Sequence, residues 1–370
     1  MIVRRSMLDG ALPSEDFLIW KRRMADKGWG APRWPESAGG AGMTAEEAGI
    51  LEEEMSLAGA INPIGGIGML MLGPTLLELG SPEQVLRHVP PIARGELRWC
   101  QGFSEPGAGS DLASLQTFAE DLGDSFRVNG HKVWTTGGQY ADWCFCLVRT
   151  DRTAPKHKGI SFLLIDMKSP GVNVRPLEMI NGDRSFSEIL FSDVGVPKHN
   201  LVGHLNEGWS VAKRLLQYER QATSGGASPI SLRGGASLPE IALECIGRTT
   251  EGRLADPDLR RRIARNLMQE RAFSLTTRRS ERNSGRDEGP GSVSSVLKNA
   301  GAVLRTERAE LMLEVLGWSA MGWSGETFSP SDLAATRSWL LSKAGPIAGG
   351  STEIQNNIIA RRILNLPESG

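Results

Sequence analysis

Gln101-Gly102-Phe103-Ser104-Glu105-Pro106-Gly107-Ala108-Gly109-Ser110-Asp111 reads as a turn-rich loop. Its glycines permit close backbone approach to a partner, and its hydroxyls and N–H groups can donate to ligand oxygens. A β-domain loop that uses glycine only to turn fits the same residues, because Gly-x-Gly patterns have low specificity. A second stretch follows: Gly130-His131-Lys132-Val133-Trp134-Thr135-Thr136-Gly137. It adds a flat aromatic ring and two hydroxyls, so the two stretches together point to a ligand more strongly than either alone.

Around these stretches the apolar residues recur with the period of strands. Phe126-Arg127-Val128 leads through Asn129-Gly130 into Lys132-Val133-Trp134, which predicts a hairpin with its preferred turn dipeptide. Strand-like runs follow at 144–148, 160–165, 172–174 and 189–196, so residues 98–204 read as a β-domain. On the N-terminal side, residues 1–97 read as helical. Ser14 caps a run that stops at Gly28, Thr44-Ala45-Glu46-Glu47 has the capping-box pattern of a helix through Leu57, and Ser81-Pro82-Glu83 opens a third. The glycine-rich loop 34–42 lacks the Gly-Lys-Ser/Thr ending of a phosphate-binding P-loop and reads as a connector. Residues 205–370 turn helical again, with stretches at 208–223, 256–283, 292–317 and 351–364. Breaks are expected at Gly234-Gly235, from Gly285 to Gly291 and from Ser319 to Ser331.

A chain of 370 residues is long enough for two or three domains. With 40% hydrophobic and 23% charged residues it falls among ordinary globular proteins. A formal net charge of −1 gives no electrostatic argument for nucleic acid or an anionic membrane. The four cysteines (Cys100, Cys144, Cys146, Cys245) form no Cys-x-x-Cys pair and suit a reducing, cytoplasmic compartment as packed thiols. No window approaches the ~20 apolar residues of a membrane span. The five histidines show no metal-ligand spacing, and there is no Gly-x-Ser-x-Gly elbow.

In order and approximate spacing, the stretches at 101–111 and 130–137 resemble the flavin-binding segments of acyl-CoA dehydrogenases, and the α–β–α order extends the resemblance over nearly the whole chain. The similarity is greatest to the bacterial branch that includes the pimeloyl-CoA dehydrogenase large subunit and steroid side-chain enzymes. It implies an α+β fold with an N-terminal helical domain (its first helix shortened), a middle β-domain and a C-terminal helical bundle. It also implies FAD as cofactor, held by Gln101, Phe103, Ser104, Gly109, Ser110, Trp134, Thr135 and Thr136, with Ser351 and Glu353 from the C-terminal region. Trp134 would cover the isoalloxazine face while Thr136 offers a hydroxyl to the ring edge. The adenosine end departs from the family: the usual Gln-x-x-Gly-Gly turn is here Glu314-Val315-Leu316-Gly317-Trp318, and no arginine-phenylalanine pair matches.

Oxidation of an acyl-CoA at Cα–Cβ requires a carboxylate to take the α-proton. Many relatives place it in a Tyr-Glu-Gly-Thr stretch; the matching residues are Ala348-Gly349-Gly350-Ser351, so the glutamate position is a glycine. Glu353 is similar to a flavin-contacting position. In isovaleryl-CoA and long-chain enzymes the base precedes an arginine on an earlier helix, which matches Tyr218-Glu219-Arg220 here. Helix phase puts Glu219 on the stripe of Trp209, Ala212, Leu215 and Leu216. That position suits a base whose pKa burial would raise, and equally a structural glutamate paired with Arg220 or Arg214. The expected activity is conversion of an acyl-CoA to its trans-2-enoyl-CoA with Glu219 as base. The resemblance adds an electron-transfer flavoprotein as acceptor and a dimer or tetramer, homo- or heteromeric. Two alternatives stay open: a partner subunit of a heteromeric dehydrogenase, and a flavin monooxygenase or nitroalkane-oxidase-like relative.

Overall fold

Ser14 accepts the Phe17 N–H and starts α1 (Glu15–Asp26). Thr44 and Glu47 close a reciprocal capping box on α2 (Ala45–Leu57), and Ser81 with Gln84 does the same for α4 (Pro82–Ala93), where proline takes the first helical position. Between them lies α3 (Gly73–Leu79). Loop 34–42 folds back on itself as a connector: a Cβ at Gly40 would lie 2.2 Å from the Trp34 carbonyl oxygen. The computed structural model describes residues 14–224, 237–283 and 291–367. These form two compact units, one of residues up to 178 with 184–219, the other of 179–183 with 220 onward.

In the first unit the strands are β1 (Trp99–Gly102), β2 (Phe118–Asp121), β3 (Ser125–Thr136), β4 (Trp143–Arg149), β5 (Ile160–Asp166), β6 (Val172–Leu177), β7 (Phe186–Pro197) and β8 (Leu201–Val202). They form one sheet in the order β6-β7-β3-β2-β4-β5-β8, with β1 added parallel to β4. The long helix α5 (Gly208–Ser224) buries Val211, Ala212 and Leu215 in a core shared with Leu72, Leu76 and Ile92 of the N-terminal segment and with Phe145 and Phe162 of the sheet. Burial pushes the thiols of Cys144 and Cys146 well above their usual range, so they pack as inert apolar groups.

The expected hairpin at Asn129-Gly130 is a misreading. The turn falls earlier, at Leu122–Gly123–Asp124, where Gly123 has φ +92°. Asn129 and Gly130 lie inside β3, at a register shift against β7 between Val128 and Gly130. The glycine answers a close approach: a Cβ there would sit 2.6 Å from Thr117 Cα. Asn129 Nδ2 donates to Asp193 Oδ1 at 2.9 Å, and the Asp193 N–H donates to Asn129 Oδ1 at 2.9 Å, fixing the bulge.

His88 on α4 is 1% exposed, edge-on to Trp99 at 5.2 Å and to Trp143 at 4.9 Å. Burial, reinforced by the positive charges of Arg87 and His199, lowers its pKa to about 4; the Glu83 carboxylate lines the same cavity. The folded imidazole is therefore neutral where the unfolded one takes up a proton. Its contribution to stability is complete above pH ~6.5 and is lost as pH falls from ~6.5 to ~4, because the unfolded state then binds more protons. Denaturant unfolding across this window checks the slope, which should flatten in His88→Asn; an unchanged slope would assign it to other groups.

The second unit contains α6 (Leu238–Cys245), α7 (Pro257–Asn283), α8 (Gly291–Leu316), α9 (Pro330–Ser342) and α10 (Thr352–Ile358), the last continued by a π turn through Ile363. Leu238, Ile241, Leu259, Ile263, Leu311, Met312, Val315 and Ala335 form its core. The break at Ser319–Ser331 is present between α8 and α9. Those at Gly234-Gly235 and over most of Gly285–Gly291 lie outside the described residues. Among the described residues, no helix is long and apolar enough to cross a membrane, and no group of three His, Cys, Asp or Glu side chains could hold a metal.

Candidate functional site

The loop after β1 is closed by a pair of 3.0 Å hydrogen bonds between the backbones of Glu105 and Ala108. A Cβ placed at Gly107 or Gly109 would meet nothing within 4 Å, so both glycines border open space. Gly109 and Ser110 are exposed; Gln101 and Ser104 are half-buried. The Val133 N–H donates to the Ser104 carbonyl at 2.9 Å and ties this loop to the 130–137 stretch.

A buried ion pair reinforces that tie. Lys132 is fully buried; its Nζ donates to Glu105 Oε1 at 2.8 Å and to the Phe103 carbonyl at 3.0 Å. Glu105 also accepts the backbone N–H groups of Gln116 at 2.6 Å and Thr117 at 2.8 Å. Burial alone would raise the Glu105 carboxyl, but the Lys132 ammonium and these hydrogen bonds hold it below the usual carboxylate range. Neither residue was singled out from sequence. A signal existed: Phe126, Val128 and Lys132 share the inward phase of β3, and an inward lysine demands a buried partner.

Trp134 has φ +60°, a conformation strained for a bulky residue, at a second register shift in β3, between Lys132 and Thr135. The strain turns its indole outward: it is 56% exposed, touching Phe186 edge-on at 6.3 Å. Thr136 is exposed beside it. Thr135 is fully buried, and its Oγ1 has no hydrogen-bond partner among the described residues. Phe103 points its side chain into the core, edge-on to Phe145 and Phe162, which leaves only its backbone to meet a ligand. An exposed indole, the Thr136 hydroxyl beside it and an open glycine cradle on one tied unit fit a flat flavin ring and its phosphates.

On α5, Glu219 is half-buried on the face of Ala212 and Leu215, as its phase predicts. The turn before it is anchored to α3. Arg214 Nε donates to Glu78 Oε2 at 2.6 Å, and the Tyr218 hydroxyl donates to the same oxygen at 2.8 Å. Arg214 also donates to Gln217 at 2.8 Å.

In the second unit, Ser351 is the N-cap of α10 and Glu353 is exposed in its first turn. Capping hydrogen bonds, from its own backbone and from Ser351, hold the Glu353 carboxyl below its usual range, which suits a contact residue better than a base. Gly349 and Gly350 have φ +66° and +94°. Their carbonyls accept from Gln355 at 2.9 Å and from Lys298 at 2.6 Å respectively. A glutamate at 349 would be strained in this loop.

Helical, sheet and helical regions follow one another along the chain, with the loop-and-strand site in the middle one. Three domain descriptions match in order: acyl-CoA dehydrogenase N-terminal domain over residues 5–96, middle domain over 100–194 and C-terminal domain over 206–364. The chain belongs to the acyl-CoA dehydrogenase family, flavin-dependent enzymes that dehydrogenate acyl-CoA thioesters. The acyl-CoA dehydrogenase IpdE1 of Mycobacterium tuberculosis is 36% identical over 356 residues, covering 95% of this chain and 89% of that protein. Among solved structures, the ChsE4-ChsE5 complex of M. tuberculosis superposes with a TM-score of 0.79 at 30% identity, covering 100% of this chain and 93% of that one. The Tcur3481-Tcur3483 steroid ACAD gives 0.78 at 26% identity, covering 99% and 96%.

Proposed function

We propose that this chain binds FAD through the 101–111 and 130–137 stretches and oxidises an acyl-CoA to the trans-2-enoyl-CoA, with Glu219 as the α-proton base. The observation that carries the reading is Trp134, held outward by a strained backbone beside the open glycine loop. Gln101, Ser104, Gly109, Ser110, Trp134 and Thr136 would hold the flavin, Phe103 and Thr135 through their backbones, and the family resemblance adds Ser351 and Glu353. Bound FAD supplies the acceptor for the hydride that leaves Cβ. Glu219 would take the Cα proton onto its carboxylate. The anchor of Glu78, Arg214 and Tyr218 fixes the helical phase of Glu219. An α-proton base also favours a dehydrogenase over a monooxygenase, which has no use for one.

Purified protein is expected to be yellow, with FAD bound non-covalently and bleached anaerobically by a suitable acyl-CoA. Colourless protein that takes up no FAD on reconstitution would reject the reading.

The small residues Ala348 and Gly349 leave room where many relatives carry a tyrosine and a glutamate. Trp318 (87% exposed) and Met321 (74%) lie at the surface, and the Arg337 guanidinium lies 5.3 Å from the Trp323 ring centre, which supports a space they do not refill. Branched, cyclic or medium-to-long acyl-CoAs should therefore be preferred to butyryl-CoA. Comparing kcat/KM over a chain-length and branching series tests this, and an optimum at a short unbranched chain would reject it.

A second reading has one specific support: two structural relatives are named as pairs of different chains, ChsE4-ChsE5 and Tcur3481-Tcur3483. This chain would then work beside a second, different subunit, with the exposed Trp318 and Met321 available for contact. An electron-transfer flavoprotein would take the electrons in either reading. Light scattering of the chain alone separates the two: a stable flavin-loaded dimer or tetramer that turns over supports the single-chain form.

A further inference from the structure

A cavity of about 100 Å³ lies in the first unit, lined by Glu83, Gln84, Arg87 and His88 of α4 and by His199 and Asn200 ahead of β8. None of these residues belongs to the 101–111 or 130–137 stretch. His88 and Asn200 are 1% and 3% exposed, and neither ring nitrogen of His88 nor Asn200 Oδ1 has a hydrogen-bond partner among the described residues. Gln84 is fully engaged: its Nε2 donates to the carbonyls of His199 and Leu201 at 2.8 Å each, and its Oε1 accepts the Ser81 N–H at 3.1 Å. At the exposed side, Arg87 Nη1 stands 3.2 Å from His199 Nε2, with the guanidinium 5.2 Å from the Trp143 ring centre.

The donor and acceptor count defines what would fill the space. A neutral imidazole can present its N–H to the space, which with Asn200 Oδ1 gives the depth of the cavity one donor and one acceptor. Arg87 adds a cation with several N–H groups, and Glu83 adds a carboxylate. A water takes ~10–15 Å³ of such volume, so there is room for an ion of several heavy atoms.

We propose that this cavity binds a small oxyanion that retains a proton at neutral pH, hydrogen phosphate being the prototype. Its oxygens accept from Arg87 and from the His88 N–H; its hydroxyl donates to Asn200 Oδ1. Sulfate carries no proton at neutral pH. It would satisfy the donors while setting an oxygen against Asn200 Oδ1. A site of this kind discriminates by the hydrogen bond that the wrong ligand leaves unmade.

The test uses the full chain loaded with flavin, so that the nucleotide site is filled. Inorganic phosphate and sulfate are titrated at constant ionic strength, followed by tryptophan fluorescence (Trp99 and Trp143 flank His88) and by Tm. A saturable response to phosphate is expected, with sulfate at least ~10-fold weaker. The Arg87→Gln variant, at an exposed position that leaves folding intact, should lose most of the response; Asn200→Asp, which sets a carboxylate against the anion, should bind neither ion. Methyl phosphate separates the sources: binding as tight as that of inorganic phosphate identifies an esterified phosphoryl group, and weaker binding identifies the free ion. No saturable response, equal responses to phosphate and sulfate, or an unchanged response in Arg87→Gln would each overturn the proposal.

Discussion

With Glu219 replaced by glutamine, flavin reduction by acyl-CoA is expected to fall by a factor of ~10²–10⁴, the range typical of a lost general base, while bound flavin persists. The amide keeps the shape of the side chain and its place on the face of Ala212 and Leu215, so the loss should fall on the chemical step. In kinetic terms kcat and kcat/KM drop together, the pattern of an interaction made only in the transition state. Glu353→Gln is the control. Its carboxyl is exposed and held below its ordinary range by capping hydrogen bonds, so its removal should weaken flavin contact mildly and leave proton abstraction intact. Single-turnover reduction measured anaerobically separates the two variants. A Glu219→Gln protein that reduces its flavin at the wild-type rate would move the base elsewhere, and with Gly349 in a left-handed loop the position used by many relatives cannot supply it.

The sequence made the α–β–α order readable because each boundary carries a local chemical mark. Ser14, Thr44 and Ser81 are side-chain caps that satisfy backbone N–H groups wherever they occur. The strands at 143–149 and 160–166 are runs of apolar residues buried on both faces, visible without any tertiary knowledge. Asn129-Gly130 misled because the same dipeptide serves two purposes. Its usual meaning is a tight turn, but here glycine makes space for Thr117, just ahead of β2, and such a long-range approach leaves no trace in local sequence. The site was legible in part for the same reason. Trp134 and the glycine loop stand in contiguous motifs, whereas the bond from Lys132 to Glu105 joins residues 27 positions apart. The anchor between Tyr218 and Glu78 spans 140 positions.

Replacing Lys132 with methionine should destabilise the first unit by roughly 3–5 kcal/mol, the usual result of removing one member of a buried pair, and should loosen FAD at the same time. Methionine fills much of the volume, so the loss is electrostatic: Glu105, 7% exposed, keeps its charge without the ammonium beside it. The Phe103 carbonyl loses its donor as well. Glu105→Gln should be destabilising as well, because it leaves the fully buried Lys132 without a counter-charge and turns an amide N–H group towards a backbone N–H that the carboxylate accepts. The double variant distinguishes a coupled pair from two independent contributors: without a charge stranded at 105, it should be less destabilised than the sum of the single variants. Denaturant unfolding gives the stability cycle, and flavin retention during gel filtration reports the site. Coupled losses in both would assign the pair to holding the 101–111 loop against β3, since Ser104 and Val133 meet beside it. Additive single effects, or a Lys132→Met protein as stable and as yellow as the parent, would leave the loop to its backbone hydrogen bonds alone.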